Sequence, residues 1–262
     1  MEQNNLNPKF FKMKSIYNLV HFFEIESTNL KMQQDNLDGI NILNKVYYTD
    51  FQTKGKGIYT NSWESQPKKN LLFSLAIYPE NLNPSHQFML TKAISLALID
   101  TVSLYLENDK LSIKWPNDIY YEKSKLAGIL TTNTINADII ELSIIGIGLN
   151  INQLNFSKEI TNPISFAQIT HQEYDILEVL EKVLLSINDR LTQLRELDLH
   201  HFISFEYLSR LFQLECWEDY NIKGNLHKAR ILGVNNYGQL ILEIKDGYTQ
   251  HYDLKEVAFI IK

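Results

Sequence analysis

Apolar side chains recur along this chain at two spacings, and each change of spacing marks an element. NLVHFFEI, Asn18 to Ile25, is rich in β-branched and aromatic residues and predicts a strand ending at Ser27-Thr28-Asn29. Those three are helix-capping types, so LKMQQDNL is expected as a short helix closed by Gly39. ILNKVYYTD and NLLFSLAIY predict two more strands, the second stopped by Pro79. Between Ser85 and Asn108 the period changes. Leu90, Ala93, Ile94, Ala97, Leu98, Val102 and Tyr105 fall at helical spacing and predict a helix with one buried face. LSIKWPNDIYYEKSKLAGILTTNT then predicts a strand, a Pro-Asn-Asp corner, a hairpin turning at Glu122 to Ser124 and a second strand. DIIELSIIGIGLNIN predicts a long apolar strand broken by Gly146 and Gly148.

Helical spacing returns from Ile176 to Leu197, through Leu177, Leu180, Leu184, Ile187, Leu191 and Leu194, and again from Phe202 to Phe212. Beyond Glu215 the chain reads as short strands with tight turns at Asn236-Tyr237-Gly238 and Asp246-Gly247. A small β-barrel of roughly fifty residues fits that rhythm. The expected organisation is a main domain, 1–214, and a small barrel, 215–262, packed closely with no low-complexity linker between them.

Composition narrows the function classes. A 262-residue chain that is 44% hydrophobic can bury one large core and a smaller one. Its net charge of -6 leaves no broad basic surface, so no nucleic-acid partner is expected. The lone Cys216 has no second thiol for a disulfide or a zinc knuckle, which suits a reducing compartment. MEQNNLNPKFFKMK lacks the apolar core of a signal peptide, and no run reaches bilayer length. The expectation is a cytoplasmic protein without a membrane partner.

Candidate chemistry lies where polar clusters interrupt the strands. QTKGKGIYTNSWES, Gln52 to Ser65, fits neither helix nor strand. Its alternating glycines allow close backbone approach and its lysines favour an anion, although a solvated turn has the same composition. Ser27, Thr28 and Asn29 are helix caps or ligand contacts. In KWPND, Asn117 and Asp118 can satisfy a turn or face a ligand. Lys125, at the start of an apolar strand, is an exposed lysine or a cation aimed across the sheet. In GIGLN, two glycines inside a β-branched strand imply a bulge or a second body pressed on the backbone. No nucleophile elbow and no H-E-x-x-H spacing occurs, and His200-His201 is expected as a helix-surface pair.

ESTN, QTKGKG…W, KWPNDI…KLAGIL, GIGLNIN and GVNNYGQLILE…KEV fall in one order over nearly the whole chain and resemble the biotin-protein ligases, the KWPND…KLAGIL block being the most specific part. The resemblance implies an α+β fold like that of class II aminoacyl-tRNA synthetases and biotin ligases: a mixed sheet with helices on one side, plus a C-terminal SH3-like barrel. It implies a biotin–[biotin carboxyl-carrier protein] ligase that uses ATP and Mg²⁺, the metal carried mainly on the ATP phosphates. The partner implied is the biotin carboxyl carrier domain of acetyl-CoA carboxylase or a related enzyme, and family members include both monomers and dimers, which admits a sheet-edge homodimer.

The resemblance also implies roles for residues. Lys125, Lys56 and Asp118 are the catalytic candidates, with Lys125 on the biotin carboxylate and α-phosphate. Ser27, Thr28, Asn29, Gln52, Gly55, Lys56, Lys125 and Gly128 would bind biotin. Lys56, Gly57, Ile58, Trp63, Asn117, Asp118, Lys125 and Asn150 would bind the nucleotide, and residues 52 to 65 would be a lid over the acyl-adenylate. The chain departs from the family pattern at Lys56, where relatives have arginine, and at Ile58-Tyr59-Thr60, where many have a second arginine followed by glycine. Both changes remove guanidinium geometry, so looser lid closure and poorer retention of the intermediate are expected. Only about fifteen polar residues precede the first strand, which argues against a winged-helix repressor role. The alternatives are a lipoate or octanoate ligase on the same fold, and a biotin-binding protein that has lost catalysis.

Overall fold

The computed structural model describes residues 16–59, 61–79, 82–245 and 247–261. The polar leader, Thr60 of the lid and Asp246 of the last predicted turn lie outside them. Seven strands, β1 (Asn18–Phe22), β2 (Lys45–Thr49), β3 (Asn70–Ile77), β4 (Leu111–Lys114), β5 (Asp118–Tyr121), β6 (Ser124–Asn136) and β7 (Ile139–Asn150), form one mixed sheet in the order β1-β2-β3-β7-β6-β5-β4. Only β1 and β2 pair in parallel, and helix α1 (Thr28–Leu37) supplies the crossover that a parallel pair requires.

Helices cover both faces of this sheet, not one. β3 is buried along its whole length: Leu71, Phe73, Leu75 and Ile77 enter the main core, while Ala76 enters a second one. β7 divides in the same way, with Ile145, Ile147 and Leu149 against Leu142 and Ile144. Strands apolar on both faces must be covered on both. Helices α2 (Phe88–Val102), α4 (Ile176–Arg195) and α5 (His200–Ser209) cover the first face, and α1 covers the second through Met32. Helix α3 (Phe166–Thr170) precedes α4. Its Ser165/Gln168 capping box stands in the sequence, although the segment is too short for periodicity to find.

Three further expectations are corrected. α2 is buried nearly all round, because α4 and α5 pack on the side turned away from the sheet. Leu177 is 49% exposed, and Val179 and Val183 take the core positions of α4. β7 runs unbroken through Gly146 and Gly148, which keep regular pairing with Ser74 and Leu72 of β3. His200 and His201 open α5, half-buried and exposed respectively, as a helix-surface pair, with His200 Nε2 lying 2.7 Å from the Leu194 carbonyl oxygen.

The C-terminal strands β8 (Glu218–Ile222), β9 (Asn225–Val234), β10 (Leu240–Ile244), β11 (Thr249–Tyr252) and β12 (Val257–Phe259) form an antiparallel sheet ordered β11-β10-β9-β8-β12. Its β9–β10 turn docks on the main sheet. At Gly238, φ is +88° and an added Cβ would stand 2.6 Å from the Phe88 ring, so only glycine fits. The Gly238 carbonyl accepts the Trp115 indole N–H at 2.8 Å, and Tyr207 Oη donates to the Pro116 carbonyl at 2.8 Å. The Trp-Pro-Asn-Asp corner is thus held from two sides.

Lys92, 3% exposed on α2, meets Ser204 Oγ at 3.0 Å and the rings of Phe88 and Tyr207, with no carboxylate in range among the described residues. Burial pushes its pKa from the usual 10.5 down to about 8. The folded state therefore penalises the charged form. The penalty is full below about pH 8 and fades as pH rises toward 10.5, where the unfolded chain still binds the proton. Lys92→Met is expected to stabilise the fold by about 1–3 kcal/mol at pH 7 and to abolish the rise in melting temperature between pH 8 and 10. Thermal unfolding against pH, wild type beside variant, checks both.

Candidate active site

Strand register builds the floor of the site. Asp118 pairs with Gly128, Gly128 with Gly148, and Gly148 with Leu72, so these residues share one face in a row across four strands. The next row on that face runs from Leu130 through Gly146 to Ser74. Three glycines leave a trough in an otherwise bulky sheet. Trp63 lies in it: a Cβ at Gly148 would stand 2.4 Å from the indole Cε2, and one at Gly128 would stand 3.1 Å from Cζ3. Over Gly146 it would meet Asn29 Nδ2 at 3.2 Å. The glycines mark close approach by other residues, not a bulge.

A cavity of about 290 Å³ opens above this floor. Lys56, Lys114, Lys125 and Lys255 line it, and Asp118 is the one carboxylate among its described lining residues, in a chain whose net charge is negative. Lys125 Nζ pairs with Asp118 Oδ1 at 2.8 Å and lies 5.6 Å from the Trp63 ring centroid. The Lys125 backbone is clamped as well, its N–H donating to Asn162 O at 2.6 Å and its carbonyl accepting from Ile164 N at 2.9 Å. Burial holds Lys114 below the ordinary lysine range, opposed by Asp118 and reinforced by Lys125. Such a site favours an anion that brings negative charge to the lysines.

The opposite end is neutral and rich in hydrogen bonds. Gln52 Oε1 accepts from Thr28 N at 2.8 Å and from Thr28 Oγ1 at 3.1 Å, and Thr28 Oγ1 lies 2.8 Å from Ser74 Oγ. Ser27, Thr28, Asn29 and Ser74 are all buried, and Asn29 Nδ2 is a buried donor with no partner. Ser27 also caps α1 through Leu30 N at 3.5 Å, so this side chain carries a structural role at the rim of the cavity.

Residues 55–59 and 61–63 form a narrow loop along the cavity. Trp63 N donates to Gly55 O at 3.0 Å and Gly57 N to Asn61 O at 2.8 Å, with a bridge between Lys56 and Ser62. Tyr59, at φ 57° and 60% exposed, presents its ring 4.2 Å from Lys255 Nζ. The loop therefore leans on the turn before β12.

The structure brings together in one lining Ser27, Thr28, Asn29, Gln52, Lys56, Gly57, Ile58, Trp63, Asn117, Asp118, Lys125 and Gly128. Two expected residues stand outside it. Gly55 sits behind Trp63, where a Cβ would be 2.4 Å from the Trp63 carbonyl oxygen. Asn150 lines a smaller adjoining pocket with Trp63 and Lys125, donating to Ile164 O at 3.0 Å while its buried Oδ1 has no partner. Asn117 lies in the lining and its Nδ2 donates to the Ile129 carbonyl of β6. Sequence reasoning did not assign Ser74, Lys114 or Lys255 to the site. Ser74 is a serine inside the apolar run NLLFSLAIY, and Lys255 reaches the site from the turn before β12.

Residues 25–150 match the Biotin/lipoate A/B protein ligase family. Over 217 residues the chain is 30% identical to the bifunctional ligase/repressor BirA of Bacillus spizizenii, covering 78% of this chain and 62% of that protein's length. It is 27% identical over 130 residues to the biotin–[acetyl-CoA-carboxylase] ligase of Mycobacterium tuberculosis, 48% of this chain and 47% of that one. Among solved structures, the biotin protein ligase of Aquifex aeolicus in complex with biotin and ATP superposes with a TM-score of 0.73 at 25% identity, over 94% of this chain and 99% of that chain.

Proposed function

We propose, from the premise that the chain belongs to the biotin/lipoate A/B protein ligase family, that it is an ATP-dependent biotin-protein ligase. The biotin carboxylate attacks the α-phosphate of ATP, forming biotinyl-5'-AMP and releasing pyrophosphate. The ε-amine of one carrier-domain lysine then attacks the acyl carbonyl, giving the amide and AMP. The observation that carries this reading is the polarity of the cavity: lysines crowd one end and a neutral hydrogen-bonding relay the other. Biotin has the same two ends, a carboxylate and a neutral cyclic urea.

Bringing a carboxylate up to a triphosphate requires cations in place beforehand. Lys125, pinned by its backbone and by Asp118, takes the biotin carboxylate and the α-phosphate, and Lys56 approaches the same anion from the loop. Asp118, released from Lys125 as the anion takes over that contact, is left beside the place where the acceptor amine arrives. Mg²⁺, when bound, neutralises the ATP phosphates. Asp118 is the lining carboxylate available to it, and the described residues hold no cluster of three or more metal-ligating side chains. Trp63 over the glycine floor and Asn150 beside it serve the adenosine end, and loop closure keeps water from the anhydride. We take residues 215–262 as a second domain that steadies the corner through Gly238 and the loop through Lys255. The partner on this reading is a biotin carboxyl carrier domain.

Exchange of labelled pyrophosphate into ATP tests the proposal. Biotin-dependent exchange is expected. Exchange driven by lipoate would support the other activity of the family, and no exchange despite biotin binding would mark a binding protein. A second measurement addresses the loop. With Ile58-Tyr59-Thr60 where the resemblance implies that many relatives carry a second arginine followed by glycine, retention of the adenylate is expected to rise in Tyr59→Arg, lowering its off-rate severalfold. Equal off-rates in the two proteins would contradict this.

A further inference from the structure

We infer that Ser74 is a positioning residue that holds the Thr28 hydroxyl in place, while Gln52 fixes the polarity of that hydroxyl, so that the neutral end of the cavity reads N–H donors on the ligand ring. The inference rests on the ligase reading above. It follows from three contacts whose donor and acceptor roles leave one solution. Thr28 N–H lies 2.8 Å from the Gln52 side chain, and a backbone N–H can only donate, so the carboxamide must turn its oxygen toward Thr28. Thr28 Oγ1 is 3.1 Å from that same oxygen, so its hydroxyl proton must point there. With that proton committed, the 2.8 Å contact between Thr28 Oγ1 and Ser74 Oγ holds only if Ser74 donates.

The relay runs from Ser74 through Thr28 to Gln52. Its consequence is chemical. Thr28 Oγ1 has accepted once and donated once, and its remaining lone pair can only accept, which matches a ureido N–H. The Gln52 carboxamide N–H groups and the unpartnered Asn29 Nδ2 remain as donors, which matches a ureido carbonyl. Ser74 is fully buried in β3, paired with Gly146, so no water competes for its proton. An acyl chain ending in a dithiolane or a methyl group would leave these groups unpaired, so the relay also selects against lipoate and octanoate.

Ser74→Ala and Ser74→Thr test the assignment, with melting temperature as the check on folding. In Ser74→Ala the Thr28 hydroxyl keeps its proton on Gln52 but loses the donor that holds its oxygen in place, so its contact with a ligand N–H weakens. The expected result is a roughly 5- to 10-fold rise in the KM for biotin in pyrophosphate exchange, with kcat and the KM for ATP unchanged. The preference for biotin over cyclic-carbamate analogues, in which ring oxygen replaces one ureido N–H, should fall by a similar factor, and Ser74→Thr should restore both. An active wild type matched by a folded Ser74→Ala in KM and in preference would overturn this inference alone. A wild type without biotin-dependent exchange would overturn the ligase reading and this inference with it.

Discussion

On the proposed ligase reading, replacing Lys125 with methionine is expected to lower biotin-dependent adenylate formation by about 10²–10³ while biotin still binds. The expectation comes from how firmly this one ammonium is placed. The residue is the second of β6, the loop at 162–164 bonds its backbone on both sides, and Asp118 fixes its head group. A cation held this way needs no reorganisation when charge develops on the α-phosphate, and such preorganised groups carry the largest share of a charge-stabilising rate effect. Methionine keeps the apolar stem and removes only the charge. Because it also strips Asp118 of its partner, the double variant Lys125→Met/Asp118→Asn separates the two effects: activity stays low while any stability lost in the single variant returns. Single-turnover formation of biotinyl-5'-AMP reads the first, and thermal unfolding the second.

Gly148→Ala is the second large effect, and it tests the floor. The new methyl carbon would stand 2.4 Å from Trp63 Cε2 and 2.7 Å from two other ring atoms, closer than carbon atoms approach without something moving. The ring must leave the trough or the strand must shift, at a cost of about 1–3 kcal/mol. Since Trp63 also neighbours Lys125, displacing it disturbs the cationic end as well. Adenylate formation is expected to fall at least 10-fold, with a red shift in tryptophan emission. Gly233→Ala is the matched control, because its added carbon meets nothing nearer than 3.9 Å and its backbone is unstrained. That variant should behave as wild type in both measurements.

How much of this could be read from residues alone depends on whether the governing interaction is local. Period and punctuation located most strands and long helices, because alternation and 3.6-residue spacing report burial directly. They did not say which helix covers which face, and the one-sided arrangement implied by the resemblance misses α1 on the second face. The glycines of GIGLN were legible as a place where something presses on the backbone. That Trp63, more than eighty residues away, is what presses there required the strand register. Lys125, Lys56 and Gln52 entered the reading through resemblance, and their arrival in one lining follows from the order of the strands. Ser74 escaped because a serine inside an apolar strand carries no signal until its partner, Thr28, is seen 2.8 Å away.

The central claim is that Lys56 and Lys125 serve one anion. A crystal structure of the protein with biotin and a non-hydrolysable ATP analogue measures this directly. The account predicts that Lys125 Nζ lies within hydrogen-bonding distance of both the biotin carboxylate and the α-phosphate, and that Lys56 Nζ reaches the same phosphate from the closed loop. Nucleotide bound with Lys56 directed to solvent, or with Lys125 still paired to Asp118 and away from both anions, would contradict it.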